Sequence, residues 1–131
     1  MDFYNVRKLT PTSGILEAEV PASKSLLNRA LILAAFGNGT VQLSCGDFAD
    51  DTLAMLDCLS ALGIPWSRCA NGLRIDGCNG HVPNQNAMLN VRSAGTAARF
   101  LTVALAFAGG SYTMTSSAQM QKRPMEILSV L

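Results

Sequence analysis

The chain has 131 residues, 49% of them hydrophobic and 15% charged, enough for one domain with its own core or for part of a larger one. Ten basic against nine acidic residues leave a net charge of +1, which excludes a bulk field drawing in nucleic acid or an anionic membrane, so any anion has to be bound locally. The longest apolar runs, Ala30–Phe36 and Phe100–Ala108, fall far short of the roughly 20 residues that cross a bilayer. The start, with Asp2, Arg7 and Lys8 among short apolar pieces, lacks the pattern of a signal peptide, and a cytoplasmic location is expected. Cys45, Cys58, Cys69 and Cys78 contain no C-x-x-C pair and His81 is the lone histidine, so the reading is reduced, mostly buried thiols and no metal.

In chain order, Ile15–Val20 alternates apolar and polar residues as a half-exposed strand does, and Pro21 closes it. Ser23 is a good N-cap for a helix over Lys24–Phe36, which Gly37-Asn38-Gly39 stops and turns. A short strand over Thr40–Ser44 follows. Leu53, Leu56, Leu59 and Leu62 then recur at helical spacing in Thr52–Leu62. Asp47, Asp50 and Asp51 resemble a carboxylate pair but suit a helix start electrostatically. Trp66–Ala70 and Leu73–Ile75 flank Asn71-Gly72, which predicts a hairpin with a type I′ turn. Met88–Val91 reads as a strand, Ala94–Ala108 as a helix ended by Gly109-Gly110, and Tyr112–Thr115 as a strand. Pro124 suits the first turn of a helix that would occupy Met125–Leu131 and be cut short there. The methionines and Phe36, Phe100 and Phe107 read as core filling and His81 as exposed. The alternation of strands and helices predicts an α/β architecture.

Three junctions share one chemistry. Ser23-Lys24-Ser25-Leu26-Leu27-Asn28-Arg29 brings hydroxyls, an ammonium and a guanidinium to one helix start, with Ser25/Arg29 and Lys24/Asn28 as i,i+4 pairs that can share a side. Free N–H groups and the partial positive charge of a helix start favour phosphate and carboxylate, and the cations reinforce this. Alone, such a segment is better explained by capping and solvated charges. Ser93-Ala94-Gly95-Thr96-Ala97-Ala98-Arg99 repeats the theme, with small residues that admit a ligand close to the backbone. The alternative there is a tightly packed helix start with Arg99 tied to a local carboxylate. Lys122-Arg123-Pro124 supplies a third basic helix start. None of the three has the glycine spacing of a nucleotide-binding loop. Three such junctions in a chain with ten basic residues suit ligands that carry several phosphates and carboxylates.

At these residues the chain resembles the enolpyruvyl transferases, specifically the 5-enolpyruvylshikimate-3-phosphate synthase family. Pro21-Ala22-Ser23-Lys24-Ser25-x-x-Asn28-Arg29-Ala30 is similar to the family's P-G-S-K-S-x-x-N-R-A, Asp50-Asp51-Thr52 to its D-D-T, Ala94-Gly95-Thr96-Ala97-x-Arg99 to its A-G-T-A-x-R, and Arg123-Pro124 to its R-P. The resemblance implies a fold of two α/β domains built from repeated strand-helix units. Residues 1–20 would belong with the distal domain, and residues 21–131 would form the first half of the other, truncated at the C-terminus. It implies transfer of the enolpyruvyl group of phosphoenolpyruvate to the 5-hydroxyl of shikimate 3-phosphate, in the shikimate pathway to the aromatic amino acids, without metal or organic cofactor.

By position, the resemblance makes Lys24 catalytic and a contact of the bound anions, gives Ser25 and Arg29 to shikimate 3-phosphate, and lines the phosphoenolpyruvate site with Ser93, Gly95 and Arg123. Gly95 would also leave room for the competitor glyphosate. The partner would be the remainder of the enzyme chain, and this chain alone is expected not to turn over. Ala22, Ser93 and Phe100 depart from the family's Gly, Asn and Pro; the shorter Ser93 hydroxyl would reach phosphoenolpyruvate through water. The sister enzyme that acts on UDP-N-acetylglucosamine is the nearest rival, but its reactive loop carries a cysteine and Ser116–Arg123 has none.

Overall fold

A computed structural model of the chain describes residues 23–125. Helix α1 (Lys24–Phe36) starts as the sequence predicts: the Ser23 side chain accepts a hydrogen bond from the Leu26 N–H. Leu27, Leu31, Ala34 and Ala35 lie on its buried face, the i, i+4, i+7, i+8 stripe of a core-facing helix. The expected turn over Gly37-Asn38-Gly39 does not form, because β1 (Asn38–Ser44) begins one residue after the helix. Gly37 allows this, since a Cβ there would lie 2.7 Å from the Leu33 carbonyl oxygen.

Helix α2 (Asp50–Ala61) buries Thr52, Met55, Leu56 and Leu59. It is followed by β2 (Trp66–Cys69) and β3 (Gly72–Cys78), which form with β1 an antiparallel sheet in the order β1-β3-β2. The hairpin is present but its turn is shifted by one residue. Cys69 pairs with Gly72, which leaves Ala70-Asn71 at the tip, and Asn71 is not left-handed. Gly72 is needed for a different reason: a Cβ on it would collide with the Leu43 carbonyl on the neighbouring strand.

Strand β4 (Asn86–Asn90), helix α3 (Gly95–Ala108) and β5 (Ser111–Thr115) form a parallel β-α-β unit with Asn86 opposite Ser111 and Asn90 opposite Thr115. One further helical turn, α4 (Ala118–Gln121), precedes Lys122. Helix α1 packs on β3 and α2 on β4, and the three long helices touch pairwise. Their contact builds a single core around Leu31, Met55, Leu59, Leu73, Leu89 and Leu101. The architecture is the expected α/β one.

Some expectations about burial change. Of the four free thiols only Cys58 is buried, whereas Cys69 is exposed and the other two are half-buried. Phe107 is 83% and Met88 73% exposed. Met88 lies between buried Ala87 and Leu89 on a strand, so the alternation turns it outward, and Phe107 sits two residues from buried Leu105, on the other side of α3. His81 is exposed, as expected. The strand expected over Ile15–Val20 and most of the helix expected over Met125–Leu131 lie outside the described residues. Pro124 and Met125 themselves belong to no element, so Lys122-Arg123 follows a helical turn rather than opening a visible helix.

Candidate active site

The starts of α1, α2 and α3 come together. The Lys24 ammonium lies 3.2 Å from the Asp51 carboxylate, and the Asn28 side-chain amide donates to Thr96 Oγ1 at 2.9 Å and to the Asp51 carbonyl oxygen at 3.4 Å. Asp51 therefore does more than the expected favourable acid at a helix start: it reaches across to the first turn of α1. The N-cap position of α2 is Ala49, which offers no side-chain cap. Lys24 remains 57% exposed in its side chain, and an ion pair that open to solvent is worth at most about 1 kcal/mol, so an arriving anion can compete for the ammonium. Ser25 is half-buried and Arg29 exposed, the latter along an apolar groove with Ile32, Leu33 and Phe100. Lys24 and Asn28 share a side as their i,i+4 spacing suggests, and both meet Asp51, the ammonium at its carboxylate and the amide at its carbonyl oxygen. Asn28 is the deeper of the two, fully buried and turned towards α2 and α3.

At α3, a Cβ built on Gly95 would stand 3.1 Å from Nη1 of Arg123 and 3.1 Å from Nη1 of Arg99. Two guanidinium groups thus converge on the helix start where the missing side chain leaves space. Among the described residues neither has a carboxylate partner. Like charges held together at a helix start are the arrangement that an anion stabilises. In the sequence Arg99 is the guanidinium one turn into the α3 junction, with nothing to pair it with Arg123. What brings it into the site is the turn over residues 118–123, which folds Arg123 back beside it.

The turn that leads into α3 is held from outside. Ser93 Oγ lies 2.7 Å from Ser117 Oγ, and the Ser117 N–H donates to the Arg92 carbonyl oxygen at 2.8 Å. Ser117 also caps α4 by accepting from the Met120 N–H at 3.2 Å. Ser117 has no sequence signal beyond being a hydroxyl before a short helix. Arg92, at φ 52°, is left-handed although it is not a glycine, and its guanidinium pairs with Asp57. A backbone held this way next to a candidate site is stored strain of about 1–3 kcal/mol.

Two open cavities flank these groups. One, of about 310 Å³, lies between Asp50 and Asp51 on α2 and Arg92, Ser93 and Ala94 in the turn. The other, of about 520 Å³, is lined by Lys122 and Arg123 together with Val91, Ala98, Met114 and Met120. The six residues singled out from sequence therefore fall into two groups. Ser93, Gly95 and Arg123 surround the start of α3. Lys24, Ser25 and Arg29 lie on the first turns of α1, and Asn28 joins the two groups. Among the described residues no cluster of His, Cys, Asp or Glu could hold a metal, and no helix is long and apolar enough to cross a membrane.

The chain is similar to known proteins over most of its length. The 3-phosphoshikimate 1-carboxyvinyltransferase of Laribacter hongkongensis is 44% identical over 127 residues, covering 95% of this chain and 29% of that protein. The enzyme of the same name from Cupriavidus necator is 37% identical over 125 residues, covering 95% of this chain and 28% of its own length. Among solved structures, EPSP synthase from Acinetobacter baumannii superposes with a TM-score of 0.68 at 29% identity, covering 82% of this chain and 25% of that one. The chain thus spans little more than a quarter of the length of the relatives it matches. A family model described as EPSP synthase (3-phosphoshikimate 1-carboxyvinyltransferase) matches residues 6–130. With nearly the whole chain matched by the family model and by relatives of that name, the chain belongs to the EPSP synthase family.

Proposed function

We propose that the chain supplies an anion-binding part of an enzyme that transfers the enolpyruvyl group of phosphoenolpyruvate to the 5-hydroxyl of shikimate 3-phosphate and releases phosphate. The observation that carries this reading is the convergence of Arg99 and Arg123 on the open start of α3, adjoining a second basic helix start on α1. The two substrates bring two phosphates and two carboxylates, and paired cationic sites are what such a pair needs in order to lie side by side.

In this reading Ser25 and Arg29 hold shikimate 3-phosphate, while Gly95, Arg99 and Arg123 hold phosphoenolpyruvate. Lys24 releases Asp51 to contact the anions of both. Ser93, engaged with Ser117, shapes the turn and reaches phosphoenolpyruvate through water. Catalysis by this part is positioning and the neutralisation of charge as phosphate leaves. The groups that move protons belong to the rest of the enzyme, so the chain alone does not turn over. Residues 1–20 belong with a second domain and residues 21–131 with the first half of this one, in a cytoplasmic enzyme whose partner is its own remaining chain.

The test is calorimetric titration of phosphoenolpyruvate into the chain, with pyruvate as the phosphate-free control and an Arg123→Ala variant. Saturable binding of phosphoenolpyruvate that pyruvate does not reproduce and that the variant loses supports the reading. Equal behaviour of the two ligands, or an unaffected variant, refutes it.

A further inference from the structure

We propose that Asn28 is a positioning residue, one that aligns the phosphoenolpyruvate-binding start of α3 on the shikimate 3-phosphate-binding start of α1. The proposal rests on the functional reading above and adds to it a residue that touches no ligand. Asn28 is fully buried, so it cannot reach a substrate. Its side-chain amide instead donates to Thr96 Oγ1 at 2.9 Å and to the Asp51 carbonyl oxygen at 3.4 Å. One carboxamide on the second turn of α1 thereby fixes the first turns of α2 and α3. Thr96 follows Gly95 directly, and Asp51 is the carboxylate that holds Lys24.

The chemistry favours a positioning role over simple filling. An apolar residue of similar volume would fill the space between three helices without the cost of burying an amide. The Asn28 carbonyl oxygen has no hydrogen-bond partner among the described residues, so the side chain is not fully satisfied by them. A group kept under that penalty earns retention through the direction of its donor bonds. Those bonds set the distance between the two anion sites. A hydrogen bond that aligns one helix start with another affects the ligand on α3, whose cradle it orients, more than the ligand on α1, where Asn28 itself is anchored.

The experiment measures the affinities of the chain for phosphoenolpyruvate and for shikimate 3-phosphate separately, by calorimetry, in four variants. Thr96→Val removes the acceptor while keeping the shape. It is expected to weaken phosphoenolpyruvate about fivefold, the factor set by one hydrogen bond of ordinary net strength, with shikimate 3-phosphate nearly unchanged. Thr96→Ser, which keeps the hydroxyl, restores the affinity. Asn28→Ala reproduces the loss, and the double variant Asn28→Ala/Thr96→Val is no weaker than Asn28→Ala alone, because the two act through one bond. If Asn28→Ala does not fold, the contrast between Thr96→Val and Thr96→Ser decides the question by itself.

Equal weakening of both ligands by Thr96→Val, or a Thr96→Ser that fails as Thr96→Val does, overturns the positioning role while leaving the functional reading intact. A wild-type chain that binds neither ligand overturns the functional reading and the positioning role with it.

Discussion

Replacing Gly95 by alanine sets helix stability against anion binding, and the structure gives the sign of each. Gly95 opens α3 without a positive φ, so an alanine fits the backbone. The helix then gains at most about 1 kcal/mol of propensity, less at a first-turn position than in mid-helix. The new Cβ makes an ordinary contact with Met120 Sδ at 3.8 Å and comes close to the Nη1 atoms of Arg99 and Arg123, each at 3.1 Å. These are the far ends of flexible, exposed side chains, so each can retreat by a few tenths of an ångström. The fold therefore loses nothing, while the convergence that grips the anion is spread and its space narrowed. A charge-assisted hydrogen bond contributes about 1.5–3 kcal/mol, and partial loss at two guanidinium groups amounts to about a tenfold weaker phosphoenolpyruvate affinity.

Two measurements on the same preparation check this: thermal unfolding and calorimetric titration with phosphoenolpyruvate. The expected pair of results is a melting temperature equal to or above wild type together with weaker binding. A lowered melting temperature would show that Gly95 serves packing, and unchanged affinity would show that the two arginines do not face the ligand. In the complete enzyme the same substitution should weaken glyphosate inhibition, and undiminished inhibition would count against Gly95 lining that site.

Three further predictions concern groups around the site. Arg92→Gly removes the left-handed strain together with an exposed pair to Asp57, so its stability in urea should lie within about 1 kcal/mol of wild type, whereas Arg92→Val should cost about 1–2 kcal/mol more. Equal losses would show that the side chain, not the backbone at φ 52°, matters there. The Thr40 hydroxyl donates to Asp76 at 2.6 Å across β1 and β3 and holds the Asp76 carboxyl below its ordinary range, with Arg74 adding to the effect. A lowered folded pKa contributes stability that is present above the unfolded value and lost as pH falls through the folded one. An NMR titration should therefore show Asp76 moving upwards in Thr40→Val, and no movement would refute the hydrogen bond. Burial pushes the Cys58 thiol up to about 11, with Asp57 acting in the same direction. Iodoacetamide at pH 8 should therefore label exposed Cys69 first and Cys58 last, only as the chain unfolds. Early labelling of Cys58 would contradict its place in the core.

Local rules account well for what was legible in the chain. Ser23 caps, Gly37 stops, and the Leu56–Leu59–Leu62 stripe is buried because each is decided within a few residues. Errors arise where a distant group decides. The hairpin tip moved because Gly72 is required by the approach of the Leu43 carbonyl on another strand, which no turn rule contains. Helical spacing puts Asn28 on the side of Lys24, where it lies, but that its amide bridges the first turns of α2 and α3 depends on how the three helices pack. Lys24, Gly95 and Arg123 could be named from motifs. That Arg99 stands with Arg123, and that Ser117 holds Ser93, depends on how the segment after β5 folds back, and its four-residue helix has too short a pattern to read.

In the proposed function the basic start of α1 recognises the phosphate of shikimate 3-phosphate beside the arginine pair of α3. Calorimetric titration of that ligand into the chain, beside shikimate and beside an Arg29→Ala variant, tests it most directly. Binding of the phosphorylated compound, none of shikimate, and loss in the variant is the predicted result. Indifference to the phosphate, or a variant that binds as well as wild type, would contradict it.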